Sequence, residues 1–374
     1  MSNEEPLKVL VVDDSAIMRQ LLVDIFRSSS RIQVVGTAKD GREALEKTRD
    51  LRPDVITLDV EMPVMNGLEA LPGLVGIYQK PVVMVSSLTH EGAETTLQAL
   101  ELGAVDFVPK PGTNQIARLR EDAEEIVAKV IAAGSSQIRI TPASVRISKP
   151  AVPTPPPIAG QSATKKTNIA KVSGSLHGSP PHHLILIGVS TGGPQALNDT
   201  LSLIEPPIPP VLIVQHMPGK FTSAFAKRLD SKCAVDVREA VSGDRLRNDL
   251  ILIAPGGMHM RLVGKTPETA RIEITDDPPM TGHKPSADYL FESAVPIFRH
   301  AITAIIMTGM GRDGVRGAQL VRSAGGSTFG QDEATSTVYG MNKAAWLEGA
   351  IQNQFPLEKL PSIIRHTWSA TNRL

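Results

Sequence analysis

The sequence predicts an α/β protein built from two doubly wound domains in tandem, a flavodoxin-like five-stranded parallel sheet followed by a second, mostly parallel α/β sheet. Three observations predict it. Short Val/Ile/Leu runs alternate with segments of helical period from Leu7 to about Ala133, a Ser/Ala/Pro/Thr/Lys-rich stretch then interrupts the pattern, and a second alternation begins at His183. Strands that read as near-continuous apolar runs are those covered on both faces, as parallel strands are. At 374 residues the chain has room for two or three cores, and this pattern divides it into two.

In the first domain, expected over residues 6–133, the strands are Lys8–Val12, Ile32–Thr37, Asp54–Leu58, Pro81–Ser86 and Asp106–Pro109, each followed by a stretch with helical spacing such as Gly41–Leu51 or Ala93–Leu102. Residues 134–181, including Pro153-Thr-Pro-Pro-Pro157, have too few apolar side chains to offset ordering entropy and predict an extended, semi-stiff linker. In the second domain, expected over residues 182–372, strands are predicted at Leu184–Val189, Val211–Gln215, Leu250–Ile253, Ile302–Met307 and Gly326–Phe329. A hairpin-like segment spans Met260–Thr275, and helices are predicted at Pro194–Leu203, Thr222–Ser231, Ser286–Phe298 and Gly314–Ala324. From Ser362 onward no pattern is readable.

Composition narrows the function. Lys plus Arg and Asp plus Glu are 39 each, so no basic excess argues for nucleic acid or anionic lipid. The single Cys233 has no partner for a disulfide or a thiolate metal site, and the acidic N-terminus lacks the basic and apolar regions of a secretion signal. No apolar run reaches the roughly 18 residues of a membrane span. A cytoplasmic protein is expected, with a protein or small-molecule partner and no membrane insertion.

Ligands of open parallel sheets bind beyond the carboxyl ends of the strands. In the first domain those ends are Asp13-Asp14, Asp59, Ser86-Ser87 and Lys110. Converging carboxylates repel one another unless a cation neutralises them, and an all-oxygen set suits Mg²⁺. Asp59 is therefore a candidate nucleophile toward a phosphoryl group, with Lys110 and the Ser86 hydroxyl stabilising its oxygens. Any one of these residues alone is commonplace in a strand-end turn; the joint pattern is specific. Over Leu7 to Ala133 the chain resembles the receiver domain of two-component response regulators. The resemblance implies Asp59 as phosphoacceptor, Asp13, Asp14, Asp59 and the Glu61 backbone carbonyl as Mg²⁺ ligands, and Ser86, Phe107 and Lys110 as switch residues.

In the second domain, Leu184 to Leu197 reads as a strand, a glycine-rich turn carrying Ser190, and the start of a helix. Gly188-x-Ser190-x-Gly192 matches a nucleophile elbow, although such a turn equally suits phosphate binding or close packing. A serine nucleophile needs a base, and His216 directly ends the strand Val211–Gln215; His259 sits further past its strand, and His177, His182 and His183 lie in or beside the linker. Asp313, in the glycine-rich loop after Ile302–Met307, is the best-placed orienting carboxylate, with Asp332 the runner-up and Asp244 and Asp249 more weakly placed. Backbone N–H groups at Thr191 and Met310 are candidates for an oxyanion hole.

The order Ser190, His216, Asp313 departs from that of the α/β-hydrolases. Gly-Val-Ser-Thr-Gly-Gly, Gln-His-Met-Pro, Thr-Gly-Met-Gly-Arg-Asp-Gly and Gln331-Asp-Glu-Ala-Thr-Ser with Tyr339-Gly-Met341 together resemble the catalytic domain of chemotaxis protein-glutamate methylesterases. Val189 and Asn342 stand where that family more often has Ala and Pro, and the linker is longer than usual. The resemblance implies Ser190, His216 and Asp313 as the catalytic set, with no cofactor for the esterase reaction. It implies methyl-accepting chemotaxis receptors as substrate, a chemotaxis histidine kinase as phosphodonor, glutamine deamidation as a second activity, and an unphosphorylated receiver that covers the active site. Rival expectations are a DNA-binding output domain, which the absence of a basic helix disfavours, a non-catalytic phosphorelay scaffold, and a related hydrolase outside chemotaxis.

Overall fold

The computed structural model describes residues 5–87, 89–110, 116–136 and 181–371; most of the expected linker lies outside the described residues. The first sheet is built from β1 (Leu7–Val12), β2 (Ile32–Ala38), β3 (Val55–Asp59), β4 (Val82–Ser86) and β5 (Asp106–Pro109). Its order is β2-β1-β3-β4-β5 and every pairing is parallel. Between and after these strands run α1 (Ala16–Arg27), α2 (Gly41–Leu51), α3 (Gly67–Pro72), α4 (His90–Glu101) and α5 (Ile116–Gly134). Local chemistry starts these helices where the strands deliver them. Ser15, Asp40 and Asn66 cap α1, α2 and α3 through their side chains, and Asn66 with Glu69 forms a reciprocal capping box.

The second sheet contains β6 (Leu184–Val189), β7 (Val211–Gln215), β8 (Asp236–Glu239) and β9 (Leu250–Ile253), then, beyond a separate antiparallel hairpin of β10 (His259–Val263) and β11 (Arg271–Thr275), β12 (Ile302–Ile306), β13 (Ser327–Gln331) and β14 (Asn353–Phe355). The seven strands run parallel in the order β14-β13-β12-β6-β7-β9-β8. The helices are α6 (Gly193–Leu201), α7 (Gly219–Asp230), α8 (Ala287–Phe298), α9 (Val315–Ser323), α10 (Met341–Leu347) and α11 (Leu360–Thr371). No helix among the described residues is long and apolar enough to cross a membrane.

The predicted α/β class and both parallel sheets are present. The elements that sequence patterning did not reveal are β8, β14, α10 and α11. β8 and β14 are the two edges of the sheet, short and rich in charged (β8) or polar (β14) side chains, so they lack the apolar run that marks a central strand. Among the described residues of α11, Leu360, Pro361 and Ile364 are buried, a stripe too narrow to produce a readable period.

Growth of each sheet reverses direction once in chain order, between β1 and β3 in the first and between β6 and β12 in the second. At such a reversal the loops leaving adjacent strands run to opposite faces and open a crevice. Both sets of candidate residues sit at these crevices.

Candidate active site and its receiver

In the first crevice Asp13 follows β1, Asp59 ends β3 and Lys110 follows β5. The Lys110 ammonium hydrogen-bonds Asp59 at 2.8 Å and lies 3.1 Å from Asp13 Oδ2, an ion-pair separation without hydrogen-bond alignment. Asp13, Asp14 and Asp59 each offer a carboxylate oxygen within 4.8 Å of the others. Arg19 donates to the carbonyls of Asp13 and Asp14 and fixes the backbone that presents them. Burial, with the Asp13 charge beside it, pushes the Asp59 carboxyl up to about 6 despite the pull of Lys110. Burial alone would lower the Lys110 ammonium, but Asp59 and Asp13 carry it above its usual value. Among the described residues, Asp13 Oδ2 is buried without a hydrogen bond and nothing donates to the carbonyl of exposed Glu61. Hard oxygen donors left unsatisfied beside buried negative charge fit Mg²⁺. Ser86 ends β4, but its hydroxyl is engaged by Thr96 at 2.7 Å and is not bonded to Asp59. Phe107 is buried and points out of this crevice toward the other domain.

In the second crevice Ser190 follows β6, His216 follows β7 and Asp313 lies in the loop between β12 and α9. His216 Nε2 hydrogen-bonds Asp313 Oδ2 at 2.8 Å, and its buried Nδ1 has no partner among the described residues. No hydrogen bond joins the Ser190 hydroxyl to His216, so the structure unites the candidate base with its carboxylate and leaves the candidate nucleophile disengaged. Asp313 also accepts from the Thr281 and Ser286 hydroxyls and from the backbone N–H groups of Ala287 and Asp288 at the start of α8. Burial pushes its carboxyl up, but the His216, Ser286 and Ala287 bonds outweigh it and hold Asp313 well below the usual carboxylate range. The loop after β12 runs hard against the nucleophile: a Cβ at Gly309 would lie 2.6 Å from Ser190 Cβ. The N–H groups of Thr191 and Met310 make no hydrogen bond among the described residues, which leaves both free to donate to a developing oxyanion.

His177 lies outside the described residues, and His259, His183, Asp332, Asp249 and Asp244 are engaged in other contacts. His259 opens β10, stacks on Tyr289 and hydrogen-bonds the Pro278 carbonyl, and His183 bonds Thr303. Asp332 caps Thr335, Asp249 caps Ile208 and Asp244 pairs with Arg238. Sequence reasoning missed His283, whose ring stacks on His216 with centroids 3.9 Å apart. It also missed Thr281 and Ser286. Thr281-Gly-His-Lys-Pro-Ser286 carries no periodicity, and the only local cue was Ser286 three residues before Tyr289, whose backbone it caps.

The two domains meet over the second crevice. Helix α4 packs on α7, with Glu101 gripped by Arg228 and Lys232. Phe107 of β5 stacks on Phe221 of α7, centroids 4.3 Å apart. The Thr191 hydroxyl, beside the nucleophile, donates to Asp106 of the first domain at 2.6 Å. The other oxygen of Asp106 faces buried Lys129 of α5, which also donates to the Phe107 carbonyl at 2.9 Å. Burial would lower the Lys129 ammonium, but Asp106 and Glu125 raise it and keep it charged.

An acidic pocket with one lysine on the first sheet and a strand-end Ser/His/Asp group on the second define a receiver joined to a serine-hydrolase-like domain. The family profile for the response regulator receiver domain matches residues 9–124, and that for CheB methylesterase matches residues 185–364. The chain is 41% identical to a protein-glutamate methylesterase/protein-glutamine glutaminase of Symbiobacterium thermophilum over 96% of this chain and 97% of that one. To a relative so named in Koribacter versatilis it is 42% identical, over 96% and 95%. The crystal structure of the Thermotoga maritima CheB methylesterase catalytic domain aligns with 49% of this chain and 97% of its own at 32% identity and a TM-score of 0.48. The chain belongs to the protein-glutamate methylesterase/protein-glutamine glutaminase family.

Proposed function

We propose that the chain is a phosphorylation-controlled hydrolase that cleaves glutamate 5-O-methyl esters on methyl-accepting chemotaxis receptors, releasing methanol, and deamidates receptor glutamines at the same site. The observation that carries this reading is the His216 imidazole, anchored through Nε2 to a carboxylate kept ionised and presenting a free Nδ1 in the crevice that holds Ser190. Once the crevice opens, Ser190 Oγ attacks the ester carbonyl carbon and its proton passes to His216 Nδ1. The oxyanion receives the Thr191 and Met310 N–H groups, each donor contributing about 3 kcal/mol to the barrier reduction. Collapse breaks the bond to the methoxy oxygen, which leaves as methanol with the proton from His216. Water, deprotonated by the same nitrogen, then releases glutamate. With a glutamine the leaving group is ammonia.

Control is assigned to the first domain, over residues 6–133, joined through residues 134–181 to the catalytic domain at 182–372 in a cytoplasmic protein. Asp59 accepts the phosphoryl group from a chemotaxis histidine kinase. Asp13, Asp14, Asp59 and the Glu61 carbonyl would hold Mg²⁺, which when bound neutralises charge on the phosphoryl oxygens. Ser86, Phe107 and Lys110 report the modification by re-engaging around it, and Phe107 sits at the interface that must loosen. The Asp106–Thr191 bond supports inhibition by contact with the oxyanion turn itself.

Methanol release from methylated receptor membranes, by wild type and Ser190→Ala, with and without Mg²⁺ and acetyl phosphate, tests both halves. Wild-type release rises with phosphodonor, and Ser190→Ala lowers it roughly 10⁴- to 10⁶-fold with the fold intact. A near-normal rate in Ser190→Ala removes Ser190 from its role.

A further inference from the structure

His216 is held by a single hydrogen bond, from Nε2 to Asp313, and one such contact leaves the plane of its ring free to swing. The flat face of His283 lies against that ring, with centroids 3.9 Å apart and planes within 11°. The segment that carries His283 is tied to the same carboxylate on both sides, by the Thr281 hydroxyl at 2.8 Å and the Ser286 hydroxyl at 2.6 Å. Met280 and His283 exchange backbone hydrogen bonds across Thr281 and Gly282, both of positive φ, which closes a tight turn and fixes the direction of the ring. Asp313 thus organises two things at once, the nitrogen of the base and the surface on which the base lies.

We propose that His283 is a positioning residue for the reaction at Ser190, its ring setting the plane of His216 in which Nδ1 reaches the nucleophile. The inference rests on the reading of Ser190 and His216 given above. A flat neutral ring is also the right neighbour for a base that becomes cationic during proton transfer, because an aromatic face attracts a cation whereas a second charge would repel it. Burial, reinforced by the neighbouring His216, keeps His283 uncharged at neutral pH.

The test compares His283→Phe, which keeps a flat ring, with His283→Leu, which fills space without one, in the full chain activated by Mg²⁺ and acetyl phosphate. Methanol release from methylated receptor membranes gives kcat and KM. Labelling of Ser190 by a fluorophosphonate reports the nucleophile without any receptor. The Phe variant is expected within roughly 3-fold of wild type in kcat, and the Leu variant roughly 10- to 100-fold below it, with unchanged KM, slower labelling and the same unfolding temperature. If the Leu variant unfolds, His283→Met takes its place as the non-planar side chain. Equal rates for the flat and non-planar variants overturn the proposal, and so does a loss confined to KM, which would make His283 a substrate contact. Wild type that neither labels nor releases methanol overturns the underlying assignment of Ser190 and His216, and this inference falls with it.

Discussion

Asp313 shows how a single side chain acquires its chemistry from its surroundings. It accepts hydrogen bonds from His216, Thr281, Ser286, Ala287 and Asp288, and only such a set keeps so deeply buried a carboxyl ionised. Asn342 is a second case. It stands where the family more often has proline, and its amide donates to the Gln331 carbonyl and the Ser336 hydroxyl, tying the start of α10 to the loop after β13. Buried histidines set the pH dependence of stability. His183 is held at about 4, chiefly by burial, and the unfolded chain returns it to about 6.5. As pH falls below 6.5 the unfolded state takes a proton that the folded state refuses, so this contribution is complete above 6.5 and is lost progressively down to about 4. The loss is about 3 kcal/mol for one such group. Asp288, pushed up to about 6 by burial, works in the opposite direction, so the comparison that matters is between variants. Urea unfolding from pH 7.5 to 4.5 is expected to fall less steeply for His183→Gln than for wild type; parallel curves would remove His183 from the account.

At the scale of the element, the C-terminal end of β5 and helices α4, α5 and α7 form the contact through which the receiver reaches the catalytic crevice. The Asp106 carboxylate there is shared between Lys129 on its own domain and Thr191 on the other. In the function proposed above, an acceptor from the receiver held against the Thr191 turn opposes catalysis by occupying that turn and blocking access. Exchanging it for a neutral acceptor, Asp106→Asn, weakens the bond by about 1 kcal/mol, and the unphosphorylated methanol-release rate is expected to rise roughly 3- to 10-fold. Glu101→Ala, which frees Arg228 and Lys232, loosens the same interface from α4 and is expected to raise the same rate. A rise with Glu101→Ala alone would confine inhibition to steric cover, while no rise in either would move the control elsewhere.

Over the whole molecule, two sheets built on one architectural principle bring two sets of candidate residues to their switch points, and the Asp106–Thr191 hydrogen bond links the two across the interface. In the function proposed above, phosphorylation acts by shifting a population between docked and undocked arrangements. Asp59→Asn is expected to leave basal methanol release intact and to abolish its rise with acetyl phosphate and Mg²⁺; a variant that still responds would place the phosphoacceptor at another residue.

The sequence alone determined the two parallel sheets, because their central strands are apolar on both faces, and the residues that end those strands, because in such sheets the strand ends are where ligands bind. Asp13, Asp59, Lys110, Ser190, His216 and Asp313 were all legible in this way. The tertiary structure alone decided which imidazole nitrogen bonds the carboxylate, that the Ser190 hydroxyl makes no hydrogen bond to His216, and that His283, Thr281, Ser286 and Asp106 lie against the candidate residues. Those features depend on side-chain rotamers and on contacts between residues up to 97 positions apart, and no local pattern in the chain encodes them.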